Sequence, residues 1–405
     1  MKCETRIQPL REVADIQTGP FGSQLHKEDY VESGTPIVTV EHLGSRTFTE
    51  QNLPKVSDKD RERLKKYILL TGDIVFSRVG SVDRCSYVDE QHKGWMFSGR
   101  CLRVRPIRDI DSLYLYYFFC LESTQQFVRN IAVGATMPSI NTKLLGEVPI
   151  RIPNVNKQKI IASILGGLDD KIELNNKINE NLEQQAQAFY QELFINNADS
   201  KWLQGTISDL GMVVGGSTPS KSKPEYYTEN GIAWITPKDL SVNKSKFISH
   251  GESDITELGL KNSSATIMPE GTVLFSSRAP IGYIAIAVGN VTTNQGFKSV
   301  VPKPEIGTAF VYYFLKNNLP IIEGMASGST FKEVSGSTMK IVPAVIPDSI
   351  TLMRFNDFCE PIFIQQKILE EQNRSLAALR DSLLPKLMSG EIDVSNRDNN
   401  YNLKH

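Results

Sequence analysis

Cations recur along this chain inside glycine-rich, polar segments. The first half carries Gly19-Pro-Phe-Gly-Ser23, Arg78-Val-Gly-Ser-Val-Asp-Arg84 and Arg100-Cys-Leu-Arg-Val-Arg105. The second carries Gly216-Ser-Thr-Pro-Ser-Lys-Ser-Lys223, Thr236-Pro-Lys238, Ser277-Arg278 and Asn294-Gln-Gly-Phe-Lys298. Glycine lets backbone close on a phosphate, Ser, Thr and Lys hold it, and Arg, Lys, Asn and Gln read base edges through paired hydrogen bonds. The candidate DNA contacts are therefore Ser23, Arg78, Arg84, Arg100 and Arg103 in the first half. In the second they are Thr218, Ser220, Lys221, Lys238, Arg278, Asn294 and Lys298. Taken singly, each reads more simply as a solvated loop or strand end; it is the matched sets that point to a nucleic acid.

Other chemistries lack their residues. The five histidines (His26, His42, His92, His250, His405) form no H-E-x-x-H or H-x-E pair, so neither a metal site nor a catalytic base is expected among them. Gly215 to Ser222 and Gly289 to Ser299 have the wrong spacing for a phosphate-cradling loop, and no G-x-S-x-G elbow appears. A nuclease-like set can be drawn from Asp348, Gln365 and Lys367, but the last two fall inside a long helical pattern with no second carboxylate in register. No catalytic residue is expected, and the chain reads as non-enzymatic by itself.

The elements that must carry these loops come in two copies. Thr71-Gly-Asp-Ile-Val-Phe-Ser-Arg78 answers Glu270-Gly-Thr-Val-Leu-Phe-Ser-Ser277, Tyr116-Tyr-Phe-Phe119 answers Tyr312-Tyr-Phe-Leu315, and Val148-Pro-Ile-Arg-Ile-Pro153 answers Val342-Pro-Ala-Val-Ile-Pro347. Asp73–Phe76, Val273–Phe275 and Ile281–Val288 are short, β-branched and bounded by Gly or Pro, which predicts strands in turn-rich α+β domains. After Pro153 and Pro347 the period changes. A seam of alternating four- and three-residue steps runs through Ile161, Leu165, Leu168, Ile172, Asn175, Asn179 and Leu182, and a second through Ile362, Gln366, Leu369, Asn373, Leu376 and Leu383. Such heptads predict two long helices that pair with each other, with the asparagines fixing register. The first, taken as Lys157 to Phe194, would be roughly 57 Å long at 1.5 Å per residue. Pro361 and Pro385 are expected to interrupt or kink the second.

The fold class that follows is α+β, with two pseudo-symmetric domains alternating with two long helices that pair as an antiparallel coiled coil. The expected boundaries are 1–153 for the first domain, 154–196 for the central helix, 197–348 for the second domain, 349–392 for the C-terminal helix and 393–405 for a polar tail. Composition agrees with a globular chain: 405 residues, 40% hydrophobic and 22% charged. Forty-five Lys and Arg against 46 Asp and Glu leave a net charge of -1. Basic groups for DNA must then be gathered on one face or shared with a partner. The five cysteines are odd in number and scattered, without C-x-x-C, so reduced thiols are expected. No stretch approaches the ~20 apolar residues of a membrane span, and the start lacks a secretory apolar run, so a cytoplasmic location is expected.

In Leu10-Arg-Glu-Val-Ala-Asp15 leading into Gly19-Pro-Phe-Gly-Ser23, in Phe76-Ser-Arg-Val-Gly80 and in Gly134-Ala-Thr-Met-Pro-Ser-Ile-Asn-Thr142, the sequence resembles the specificity subunits of type I restriction-modification systems, and the resemblance covers essentially its whole length. Lys157-Gln-Lys-Ile-Ile-Ala-Ser-Ile-Leu165, Ser276-Ser-Arg-Ala-Pro-Ile-Gly-Tyr283, Thr293-Asn-Gln-Gly-Phe-Lys298 and Leu383-Leu-Pro-Lys-Leu-Met-Ser-Gly-Glu-Ile392 extend it. Asp83 departs from it, standing where a second glycine after Gly80 is expected.

This resemblance implies two target-recognition domains, each reading half of a split site in double-stranded DNA, with the helices setting the gap. It implies two methyltransferase subunits docked on the helices and a restriction and translocase subunit joined to them. S-adenosylmethionine, ATP and Mg²⁺ would belong to those partners, with no cofactor in this chain. The rival reading is a non-enzymatic adaptor, two sugar- or peptide-binding domains on a coiled-coil spacer. The guanidinium-rich loops at Arg78, Arg100, Arg103 and Arg278 favour DNA over a neutral ligand.

Overall fold

A computed structural model describes residues 5–20, 24–107, 109–328 and 332–394. The chain divides into two compact units, residues 1–172 with 375–405 and residues 173–374. The division runs through both long helices, so each unit contains part of each helix.

In the first unit a sheet orders Ala14–Thr18, Cys101–Pro106, Ile74–Ser77 and Cys85–Tyr87, all antiparallel. A smaller sheet orders Tyr30–Val31, Lys55–Val56, Thr35–Val38 and Met96–Phe97. A ribbon joins Arg6–Pro9 to Pro149–Ile152. The second unit repeats this plan. Its main sheet orders Gly211–Gly215, Lys298–Pro302, Val273–Ser277 and Ile281–Ala287, then adds a parallel edge strand, Phe247–Ile248. Its ribbon joins Leu203–Thr206 to Pro343–Ile346.

The matched apolar runs lie where each domain has two cores. Side chains alternate across a strand, and Ile74 and Phe76 enter one core while Val75 enters the other. Val273 and Phe275 are likewise separated from Leu274. A strand buried on both faces has no polar side, which is why these segments read as continuous apolar runs. The matched glycines begin them: Gly72 (φ +89°) and Gly271 (φ +82°) occupy left-handed turns that favour glycine. The aromatic repeats are helices, Ser112–Cys120 and Thr308–Asn317, with every residue of Tyr114–Phe119 and Ala309–Leu315 buried. Cys85, Cys101 and Cys359 are buried free thiols and Cys120 is half-buried and free.

Two long helices follow the repeats, Val155–Gln191 with 37 residues and Ser349–Ser389 with 41. In the first unit Ile161 and Leu165 are buried and Leu168 and Ile172 half-buried, with Leu376 and Leu383 half-buried on the other helix. In the second unit the partners run antiparallel. Asn175 Nδ2 donates to Asn373 Oδ1 (2.9 Å), Asn373 Nδ2 donates to Asn176 Oδ1 (2.7 Å), and four residues on, Gln366 Nε2 donates to the Asn179 carbonyl (3.2 Å). Leu182, Ile362 and Leu369 fill the seam beside them. A buried amide left unpaired costs about 1–3 kcal/mol, so the register in which Asn175 meets Asn373 is favoured. Asn179 is met through its backbone carbonyl, and the side-chain oxygens of both Asn175 and Asn179 are buried without a partner among the described residues.

The prolines do not interrupt the second helix. Pro361 and Pro385 both lie inside the uninterrupted second helix, and both are exposed. Both rings lie at the surface, and the residues whose carbonyls they deprive of a helical donor, Asp357 and Asp381, are exposed as well. The first helix is the less regular one, ending in a wider π turn at Glu192–Asn196.

Each domain is tied to the helices by a buried charge cluster. In the second unit Glu183 of the first helix accepts from Lys246 (2.7 Å), Lys316 (2.6 Å) and the Tyr313 hydroxyl (2.9 Å). In the first, Asp169 accepts from the Tyr117 hydroxyl (2.6 Å) and from Arg380 of the second helix (2.6 Å). Burial opposes ionisation of Glu183, but the two ammonium groups outweigh it and hold the carboxyl at about 2. Burial pushes the Lys246 ammonium down to about 8 against the pull of Glu183. Because Glu183 is depressed in the folded state, its contribution to stability is present above its ordinary value of 4.5 and is lost as pH falls toward about 2. At ~1.36 kcal/mol per unit, this loss is on the order of 2–3 kcal/mol. Thermal melts should show it between pH 5 and 3 as a fall larger in the wild type than in E183Q by about 2 kcal/mol, since Asp60, Asp209 and Asp348, also held low in the folded state, titrate in both; an equal fall in both proteins would remove Glu183 as the cause.

Candidate nucleic-acid interface

In the second unit the strand Gly211–Gly215 leads into a loop pressed against the turn 293–296. A Cβ on Gly216 would lie 2.1 Å from the Asn294 carbonyl oxygen, so only glycine permits this approach. The loop is then held on three sides: Ser217 N donates to the Thr293 carbonyl (2.9 Å), Trp234 Nε1 to the Ser217 carbonyl (3.0 Å), and the Tyr227 hydroxyl to the Pro219 carbonyl (2.6 Å). The Thr218 hydroxyl donates to Gln295 Oε1. Facing it, Thr236 caps the helix Pro237–Val242 through Asp239, whose other oxygen accepts Glu252 N (2.8 Å).

These elements enclose an open cavity of about 630 Å³ that brings together Thr218, Lys221, Lys238 and Asn294. Lys238 is paired there with Glu252 (2.6 Å), which raises the lysine pKa. Asn294 Oδ1 is turned to Gly296 N (2.8 Å). Ser220 lies outside the cavity lining, exposed, its hydroxyl 2.9 Å from that of Ser222. Arg278 and Lys298 form a separate cluster, each 3.5 Å from Glu333. The turn joins the two, since Lys298 Nζ also donates to the Gln295 carbonyl (3.2 Å). Trp234, Tyr227, Gln295 and Glu252 belong to the same surface and were not singled out from the sequence. Gln295 sat within a motif already read, while Glu252 carries no local signal.

The first unit repeats the framework with other side chains. A Cβ on Gly19 would lie 2.1 Å from the Ser98 carbonyl oxygen, the counterpart of Gly216 on Asn294. Arg78 N donates to the Arg100 carbonyl (2.8 Å) and Ile140 N to the Arg78 carbonyl (2.9 Å). Ser277 N to the Gly296 carbonyl (2.7 Å) and Val334 N to the Ser277 carbonyl (3.0 Å) repeat the pattern. Arg78 Nη1 reaches the Gly99 carbonyl (3.2 Å). Arg100 is exposed on the turn, and Arg84 is exposed with its guanidinium against Gly44, where a Cβ would lie 2.9 Å from Nε. Ser23 lies outside the described residues.

Arg103 does not belong to this surface. It stands in the strand Cys101–Pro106, 3% exposed, with its guanidinium on Asp15 of the neighbouring strand. Burial lowers its pKa, helped by Arg105. A buried cation already paired has no face to offer a nucleic acid. The nuclease-like residues are not gathered into a site: Asp348 caps the second long helix at Thr351 and accepts Trp202 Nε1 (3.0 Å), Gln365 is exposed on that helix, and Lys367 pairs with Glu270 (3.0 Å).

Comparison with known proteins places this architecture. Residues 5–184 and 199–372 each match the family described as type I restriction modification DNA specificity domain. The type I restriction enzyme MjaIX specificity subunit of Methanocaldococcus jannaschii is 40% identical over 191 residues, 45% of this chain and 44% of that protein. The HindI specificity subunit of Haemophilus influenzae is 23% identical over 82% of this chain and 89% of its own. The chain thus spans under half of the first relative and most of the second. A crystal structure of the type I restriction-modification S subunit from M. genitalium has the same fold, with a TM-score of 0.62 at 17% identity over 95% of this chain and 96% of that one. With both of its repeats matched, the chain belongs to the type I restriction-modification DNA specificity family.

Proposed function

We propose that this chain is the DNA-recognition subunit of a type I restriction-modification assembly. Each half reads one part of a bipartite site and the helices set the gap. The observation that carries the reading is the doubled corner, in which Gly19 and Gly216 hold the same close approach while the side chains around them differ. One framework with two sets of contacts suits two different half-sites. Arg78, Arg84 and Arg100, with Ser23, are assigned to one. Thr218, Ser220, Lys221, Lys238, Arg278, Asn294 and Lys298 are assigned to the other. The adaptor alternative has no support from the family.

Catalysis then belongs to partners: two methyltransferase subunits using S-adenosylmethionine, and a restriction subunit using ATP and Mg²⁺, acting in the cytoplasm. Support for docking on the helices comes from the second helix, where Ile350, Met353, Ile364 and Ile368 are 73%, 59%, 53% and 43% exposed. They share one face, distinct from the buried seam, as two apolar pairs with the exposed Asp357 and Pro361 between them. Methylation-site mapping in cells carrying this chain with its methyltransferase is the test. The expected result is one split motif with a fixed gap; a continuous motif, or methylation unchanged when this chain is deleted, would remove the reading.

A further inference from the structure

Arg46 and Lys246 occupy the same place in the two repeats. Each offers its backbone carbonyl to the strand beside it, Arg46 to Tyr87 N (2.7 Å) and Lys246 to Ile286 N (2.8 Å), and Tyr87 and Ile286 lie on matching strands. Each then sends its cation into the long helices. Lys246 Nζ donates to Glu183 of the first helix (2.7 Å) and to Gln366 of the second (3.0 Å), lying 3.8 Å from the centre of the Phe363 ring. Glu370 of the second helix accepts the successive amides Lys246 N (2.9 Å) and Phe247 N (3.1 Å). Arg46 Nη1 donates to Asp170 (2.5 Å) and to the Gly166 carbonyl (3.4 Å) of the first helix.

We infer that Lys246 and Arg46 are positioning residues that fix the angle of each recognition domain on its helix pair and thereby restrict the number of base pairs allowed between the half-sites. The inference rests on the split-site reading proposed above. Its physical ground is direction. Removing the cation alone costs stability, because it takes one partner from a buried pair, but Lys316 stays on Glu183 and an apolar side chain of similar length fills the same space. Apolar contact is non-directional, however, and permits small rotations. A cation held by carboxylate, amide and ring does not. Lys246 immediately precedes the edge strand of a sheet in which one strand ends at Gly215, its neighbour begins at Lys298 and a third ends at Ser277. A rotation at that edge therefore swings the candidate contacts together. Among the described residues Lys246 and Arg46 bond to none of the assigned DNA contacts, so half-site sequence should not depend on them.

The test uses the complete methyltransferase assembly and duplexes carrying the native half-sites with gaps one base pair shorter, native and one base pair longer. K246M keeps the charge of Glu183 balanced by Lys316. It is expected to raise the methylation rate of off-gap duplexes about tenfold relative to the native gap, equivalent to ~1.4 kcal/mol, with the half-site bases unchanged. K246R should restore the wild-type preference. A folded K246M assembly as sharp in gap preference as wild type would overturn the inference. Should K246M fail to fold, R46L in the first unit is read in the same way, and a sharp preference there overturns it. A wild-type assembly that ignores the gap would instead overturn the split-site reading, and this inference with it.

Discussion

One heptad inserted into each long helix, after Asn176 and after Gln372, so that Asn175, Asn176 and Asn373 stay together, is expected to lengthen the gap between half-sites while leaving the half-sites themselves unchanged. Seven residues add about 10 Å of helix and return the seam to the same face. About three base pairs at ~3.4 Å fill that length. Three base pairs also turn the duplex by roughly 100°, given 10–10.5 per turn, and a heptad supplies no matching rotation. The new gap should therefore be longer by one to three base pairs, with weaker binding than wild type. The insertion points follow from the packing. Both leave Glu183, Gln366 and Glu370 with Lys246, and Asp169 with Arg380. Insertion after Leu369 would carry Glu370 away from the two amides it holds. Methylation mapping of the mutant decides the matter, and an unchanged gap would show that the helices do not set the spacing.

Exchange of residues 1–153 for the corresponding segment of a relative with another target should replace one half-site and keep the other. The cut falls just after the strand Pro149–Ile152, so the ribbon with Arg6–Pro9 travels intact. Each base pair that becomes mismatched at the old half-site should cost about 1–3 kcal/mol, roughly additively. Four such positions would abolish methylation of the parental site. The chimaera should retain the parental gap if the incoming segment carries a cation at the Arg46 position. A change in both half-sites would mean that the two domains do not read separately.

Much of this was legible in the sequence because it is periodic or repeated. The strands at Ile74–Ser77 and Val273–Ser277 and the seams from Ile161 to Leu182 and Ile362 to Leu383 were marked by local pattern alone. What stayed hidden depends on partners distant in the chain. Arg103 looked like the companion of Arg100, yet it lies within a strand and its partner Asp15 is 88 residues away. Lys246 carried no signal, since Glu183 and Gln366 lie 63 and 120 residues from it. The exposed faces of Pro361 and Pro385 are a different case. Neither lies on the seam, so a helix already expected to bury that seam could have been expected to turn both toward water.

The division of the chain also has a consequence for its synthesis. The core of the first unit includes Leu384, Leu387, Met388 and Val394 alongside Leu10, Leu115 and Leu165. The second unit draws only on residues 173–374. The half that leaves the ribosome first is thus the last to be completed. At roughly 5–20 residues per second, the interval between Leu165 and Leu384 lasts about ten to forty seconds. During that time the apolar faces that await the C-terminal helix are uncovered, and the later-made half can finish its own core first. Truncated or stalled nascent chains should for this reason expose the N-terminal half to proteases and chaperones, although its sequence is entirely present.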